Sequence, residues 1–290
     1  MQVLSHSFLP RVCLFCLMIV AGMVLLSCGP GTQAPAGPTN PYDRAKEAFK
    51  GGEWDKAVDL TEKLAIATPP VDSTDRARVM RAVIFTGQLR GAKEVAEAYG
   101  KGAQKQSGYR RLQHDILVSA AKAALSLAGT AQQIAPDGVI SKELILDVSY
   151  PTIEGPPEVK ELATVQDGTW IESDQQDTAL ANAYRKGVDD ALANALGGDR
   201  AKARQALAGG PAKLEGASFA IFLASGLTEA AVVFDHHHSL DPAKPRAMCD
   251  EGEASLKAAS AILKDSPDKD LQKQIKQLQD KFKTIRKSIA

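Results

Sequence analysis

Beyond residue 40 the apolar positions recur with a helical rather than a strand period. Ala45, Ala48 and Phe49 share one stripe, Gly51 and Gly52 interrupt it, and Ala57, Leu60, Leu64 and Ala67 form a second stripe that stops before Pro69. Two amphipathic helices joined at a pair of glycines predict an αα-hairpin. Further helices are predicted from near Asp75, through Ile116, Ala120, Ala123 and Leu127, and through Leu180, Tyr184, Val188, Leu192 and Leu196. Near the C-terminus Leu271, Ile275, Leu278, Phe282, Ile285 and Ile289 are spaced 4, 3, 4, 3, 4, a narrow coiled-coil-like seam with lysines on the other faces. Ser266, Pro267 and Asp268 supply a cap residue, a first-turn proline and an acid for the start of that helix. It is expected to cap the folded part, with a partner-binding coiled coil as the alternative. The pattern breaks at 136–175, where Tyr150-Pro151, Gly155-Pro156-Pro157 and Gly168 accompany the β-favouring Leu144, Ile145, Leu146 and Val148. An irregular insert or long loop is expected there, with Tyr150 and Trp170 as exposed aromatic candidates for a partner contact.

The N-terminus follows another rule. Residues 1–11 carry one fixed charge, Arg11, and residues 12–26 carry none. Such a run falls short of the roughly 20 residues that a permanent transmembrane helix needs, and predicts a cleaved signal. It ends in Leu25-Leu26-Ser27-Cys28-Gly29, which resembles the bacterial lipobox: an aliphatic residue three places before the cysteine and a small one directly before it. The resemblance implies a lipoprotein signal peptide over 1–27, cleavage after Ser27, and a diacylglyceryl group on the Cys28 thiol with a further acyl chain on its new amine. Two or more chains anchor stably where one holds only marginally. After Cys28, residues 28–41 are rich in Pro, Gly and small polar residues and read as an extended tether. Gly29, where a retention signal would place Asp, would in proteobacteria imply passage to the outer membrane.

Within the first hairpin, Gly52 is followed by Trp54 two residues on, Ala57 three beyond that, and Pro69 seventeen after the glycine. This spacing resembles the second half of a tetratricopeptide repeat (TPR). Gly87 lies 35 residues after Gly52, near the family's 34-residue period, and Ala92 repeats the Gly-x-x-x-x-Ala of Gly52 and Ala57. Gly198 with Ala203 and Gly226 with Ala231 repeat it again. The resemblance implies an all-α fold of stacked TPR-like hairpins, a solenoid with Gly52, Trp54, Ala57, Gly87 and Ala92 as repeat-packing residues. The hairpins are expected over 42–135 and 176–290, either side of the insert. The first 60 or so residues after the anchor are similar to outer-membrane-assembly lipoproteins that carry such repeats.

Composition narrows the function. Removing 27 of 290 residues leaves 263, enough for one large or two small domains. Thirty-five basic residues balance 35 acidic ones, so no strong field draws the chain to nucleic acid. Of four cysteines, Cys13 and Cys16 leave with the signal and Cys28 is lipidated, which leaves Cys249 with no internal disulfide partner. Asp235-His236-His237-His238 is the one candidate metal cluster, with Asp235, His236 and His238 as potential ligands. Three adjacent histidines cannot all converge on one ion from a helix, and a structural place at a helix end is the competing expectation. The sequence contains no GxSxG, Walker loop, HExxH or CxxC. The expectation is therefore a non-enzymatic protein-interaction scaffold without a cofactor. It would be lipid-anchored to the cell membrane or outer membrane, face the periplasm, and bind protein partners of the cell envelope. The alternatives are metal binding at the His tract and a small-molecule-binding lipoprotein similar to the helical T-component proteins of TRAP-type solute transporters.

Overall fold

The computed structural model describes residues 40–151, 159–237, 241–265 and 267–289, the side chains of 235–237 excepted. The signal, Cys28, most of the tether and the side chains of Asp235, His236 and His238 therefore lie outside the described residues. The described residues are mostly helical, in accordance with the all-α expectation.

The first hairpin forms where the pattern places it. In α1 (Pro41–Lys50), the Asn40 side chain accepts from the Tyr42 N–H and proline opens the first turn. Gly51 caps the C-terminus and Gly52 turns the chain at φ 76°, a conformation that glycine adopts without strain. In α2 (Trp54–Ala65), Trp54 meets Phe49 edge-on, with ring centroids 5.1 Å apart, and Ala57 is fully buried. The helix ends at Ala65, so Ala67 falls beyond it, and Thr61 takes a place on the buried face by donating its hydroxyl to the Ala57 carbonyl.

The next element departs from the expected spacing. Gly87 does not mark a turn: it lies in the middle of α3 (Thr74–Gly102), a 29-residue helix, and Ala92 is buried farther along it. Gly87 and Gly91 serve another purpose there. They face Val188, Ala183 and Gly187 of α6 (Ser173–Ala195), and a Cβ on Gly91 would sit 2.6 Å from the Ala183 carbonyl oxygen. Small residues thus let two helix backbones touch. Gly226 is likewise inside a helix, where a Cβ would lie 2.9 Å from Leu127 Cδ2, whereas Gly198 does stand at a turn, with φ 86°.

α3 is the axis of the bundle. It packs on α2, on α4 (Tyr109–Ile134), on α5 (Lys160–Gln166), on α6, and on α8 (Gly216–His237), as well as on the strand β1 (Glu143–Leu146). Hairpins in a simple stack touch only their immediate neighbours; here α3 also reaches elements far along the chain. Segment 136–175 is more regular than expected. It holds a short 3-10 turn, β1, α5 and the start of α6, with 152–158 outside the described residues. β1 pairs antiparallel with β2 (Ala212–Glu215), Leu144 opposite Leu214 and Leu146 opposite Ala212, and these four side chains are buried. β2 follows α7 (Arg200–Ala208) and leads directly into α8.

The C-terminal part closes over α8. α9 (Ala243–Leu263) and α10 (Lys269–Ile289) both pack on it and on each other. The predicted seam of α10 is used internally: Ile275, Leu278, Phe282 and Ile285 are buried, and Phe282 fits against Gly252 of α9. Asp268 caps α10, its carboxylate accepting from the N–H groups of Asp270 and Leu271; Ser266 lies outside the described residues. α8 has the length and apolarity of a membrane span, with a mean hydropathy of 1.8 over 216–234. In the bundle 78% of that stretch is buried against other helices.

Candidate functional site

Two concave features stand out among the described residues, and the first grows from the Gly52 turn. A cleft of about 420 Å³ opens between that turn, Gln88 of α3, and Ala181, Tyr184 and Arg185 of α6. Trp54 forms part of its wall, held by its edge contact with Phe49. The Gln88 amide donates to Asp55 Oδ1 at 2.8 Å, which fixes a carboxylate at one side. Arg185 stands across the cleft, its Nε 3.7 Å from where a Cβ on Gly52 would be. Arg185 is half-buried, and among the described residues its guanidinium has neither an ion pair nor a hydrogen bond. Burial and the nearby Asp55 charge push the Tyr184 hydroxyl up to about 12, so it stays a neutral phenol.

The second feature runs along α8. Between Ser218 and Phe234 this helix is fully buried except at Ser218, Ser225, Glu229 and Val232, spaced 7, 4 and 3 residues. Those positions form a single stripe on an otherwise enclosed helix. Three hollows follow the stripe in order. One of about 360 Å³ lies beside Ser218, Phe222 and Ser225, with Arg90 of α3 and Leu271 and Gln274 of α10 on its sides. One of about 470 Å³ continues past Thr228, Glu229 and Val232, between Lys93 of α3 and Lys281 and Ile285 of α10. The last, about 270 Å³, shares Lys93 and Val232 and ends against Gln113 and Leu117 of α4. Together they make a discontinuous groove along α8: α3 borders all three hollows, α10 the first two and α4 the third, and the Arg90–Glu229 contact stands between the first and the second. At 1.5 Å per residue, the stripe from Ser218 to Val232 spans about 21 Å.

The floor is mixed, with Ser218, Ser225 and Glu229 beside Phe222 and Val232, and the rims are charged. Arg90 grips Glu229 with a two-pronged contact, Nη2 to Oε1 at 2.8 Å and Nε to Oε2 at 3.0 Å, which ties the α3 wall to the floor. On the α3 rim Lys93 and Glu97 pair loosely at 3.9 Å, and on the α10 rim Asp280 pairs with Lys283 at 3.1 Å. Neither rim carries one dominant sign.

Gly52 and Trp54 are brought together at the first cleft, and Ala57 packs the helix below it. Gly87 borders the cleft only through its neighbour Gln88, and Ala92 belongs to the core. The groove along α8 escaped the repeat-based reading. Its signal was present in the polar Ser218, Ser225, Thr228 and Glu229, all on one side of an otherwise apolar run. Tyr150 is not an exposed contact residue: it is half-buried, its hydroxyl has no accessible surface, and the Arg204 guanidinium lies 5.0 Å above its ring. Trp170 is 44% exposed but stacks on Tyr109, with ring centroids 5.1 Å apart. Among the described residues no group of three or more His, Cys, Asp or Glu side chains could hold a metal ion.

The chain was compared with protein-family models, with curated proteins and with solved structures. It matches none of them.

Proposed function

We propose that this chain is a lipid-anchored module of the bacterial cell envelope that binds a protein partner, without catalysing a reaction, in the groove floored by α8. The observation that carries this reading is the stripe Ser218, Ser225, Glu229 and Val232, the line of access to a helix whose other residues between 218 and 234 are buried. The stripe is as long as about four turns of an amphipathic helix, whose apolar side would meet Phe222, Val232 and Ile285. Rims of mixed charge suit flanks that carry both signs. The lipobox at Cys28 supports tethering to the cell membrane or outer membrane on the periplasmic side. The hairpin α1–α2 supports the TPR-like resemblance at its start, since Gly52 turns, Trp54 fills the gap and Ala57 lets the helices close.

The test places a photo-crosslinking residue at Ser225 in the full chain, in native membranes, with the same residue at exposed Val139 as the control. A discrete envelope protein captured from position 225, absent from position 139 and lost when Val232→Glu is added, supports the reading. Equal capture from both positions, or none from position 225, overturns it. A Cys28→Ala chain is expected in the soluble fraction; its persistence in membranes would refute lipid anchoring.

A further inference from the structure

We infer that the cleft at the Gly52 turn is a binding site for a small zwitterion of the amino-acid type, its carboxylate held by Arg185 and its ammonium by Asp55. This does not depend on the groove along α8 or on the lipid anchor, and that reading stands or falls separately.

Four observations converge on this ligand. Arg185 and Asp55 line the same cleft, carry opposite charges, and are not joined by an ion pair. A guanidinium half-removed from water and left without a carboxylate is costly, and long side chains on a surface ordinarily swing to meet an opposite charge. Here the two do not pair. Asp55 is fixed by the Gln88 amide through one oxygen, and its other oxygen has no hydrogen-bond partner among the described residues. Arg185 lies beside the Gly52 turn, its Nε 3.7 Å from where a Cβ there would be, at ordinary van der Waals distance. Of the remaining walls, Trp54 and the neutral Tyr184 are aromatic and offer an apolar side chain a surface to lie on, while Glu53 and Lys56 neutralise each other in an ion pair at 2.7 Å. Outside the Glu53–Lys56 pair, the cleft thus presents one unpaired guanidinium, one carboxylate free of any ion pair and an aromatic wall, which is the complement of a free amino acid with an apolar side chain. A volume of about 420 Å³ admits a molecule of that size with water to spare.

The chain contains two tryptophans, Trp54 and Trp170, so Trp170→Phe leaves Trp54 as a single fluorescent reporter inside the cleft. Full-length Trp170→Phe protein in detergent is titrated with L-leucine and L-phenylalanine, and with leucinamide and N-acetyl-leucine as probes lacking one charge each. Saturable change of the Trp54 emission is expected with the two amino acids, and at least about tenfold weaker binding with either blocked form, as expected for loss of a charge-assisted hydrogen bond. Arg185→Gln should weaken leucine by a similar factor while leaving leucinamide unchanged. Asp55→Asn should do the reverse, leaving N-acetyl-leucine unchanged. Circular dichroism on each variant separates loss of binding from loss of fold, and Arg185→Gln, which breaks no contact, is expected to melt with the parent. No saturable response to either amino acid overturns the inference. So does binding in which the blocked forms compete equally, or in which a folded Arg185→Gln protein binds leucine as the parent does.

Discussion

Gly187 of α6 lies so close to α3 that a single added carbon would collide with the Gly87 carbonyl, a backbone group that cannot step aside. Gly187→Ala is expected to destabilise the fold by about 2–3 kcal/mol, since overpacking forces the helices apart. Gly129, in exposed α4 backbone with nothing within 4 Å, is the matched control. Gly129→Ala should instead stabilise by roughly 0.5–1 kcal/mol through helix propensity alone. Thermal melts of the two variants should move in opposite directions. Cys249 is decided at the same scale. Burial is the main cause that pushes its thiol up to about 11, with the Arg286 charge opposing and Glu253 and Asp250 adding to it. The thiolate is the reactive form, so at pH 8 a thiol reagent should label Cys249 only after denaturation. Rapid labelling of the native chain would show that α9 opens there.

The attachment of α10 separates two kinds of force. Arg286 reaches Asp250 and Glu253 of α9, but all three side chains are at least one-third exposed, and solvent screens such contacts. Phe282 has no exposed surface and fills the space that Gly252 leaves open. Arg286→Ala is therefore expected to cost less than about 1 kcal/mol, and Phe282→Ala about 3–5 kcal/mol. Denaturation midpoints should rank them in that order. Equal effects would mean that α10 is held electrostatically. The same comparison explains why the 4-3-4-3 seam is not left over for a partner: the bundle buries it against α8 and α9.

At the scale of the molecule, one connected hydrophobic core runs from Tyr42 in α1 to Ile285 in α10. A second cluster, around Tyr99, Tyr109 and Val165 near α5, shares Ile116 with it at their border. With α3 contributing to both, the folded part should unfold in one cooperative transition, in which calorimetric and van't Hoff enthalpies agree. Two resolved transitions would show that the α5 cluster opens by itself. A repeat array reports its own register in sequence because each unit meets only its neighbours. This bundle does not, because α3 is surrounded by elements drawn from the whole chain.

What the sequence determined by itself is what depends on near neighbours. The lipobox-like run ending at Cys28, the α1–α2 turn at Gly52 and the apolar stripes of α4, α6 and α10 rest on local chemistry or on helical period; the turn forms where the pattern puts it, and of the α6 stripe Val188 and Leu192 are buried while Leu180 and Tyr184 are half-buried and Leu196 falls just past the helix. Gly87 was legible as a glycine that mattered but not as a helix contact, because a small residue reads alike at a turn and at a close crossing. Only the partner backbone, 100 residues on at Gly187, distinguishes the two. The cleft between Asp55 and Arg185 and the groove along α8 were decided by tertiary structure for the same reason: each is made of side chains whose separation in sequence carries no record of their meeting.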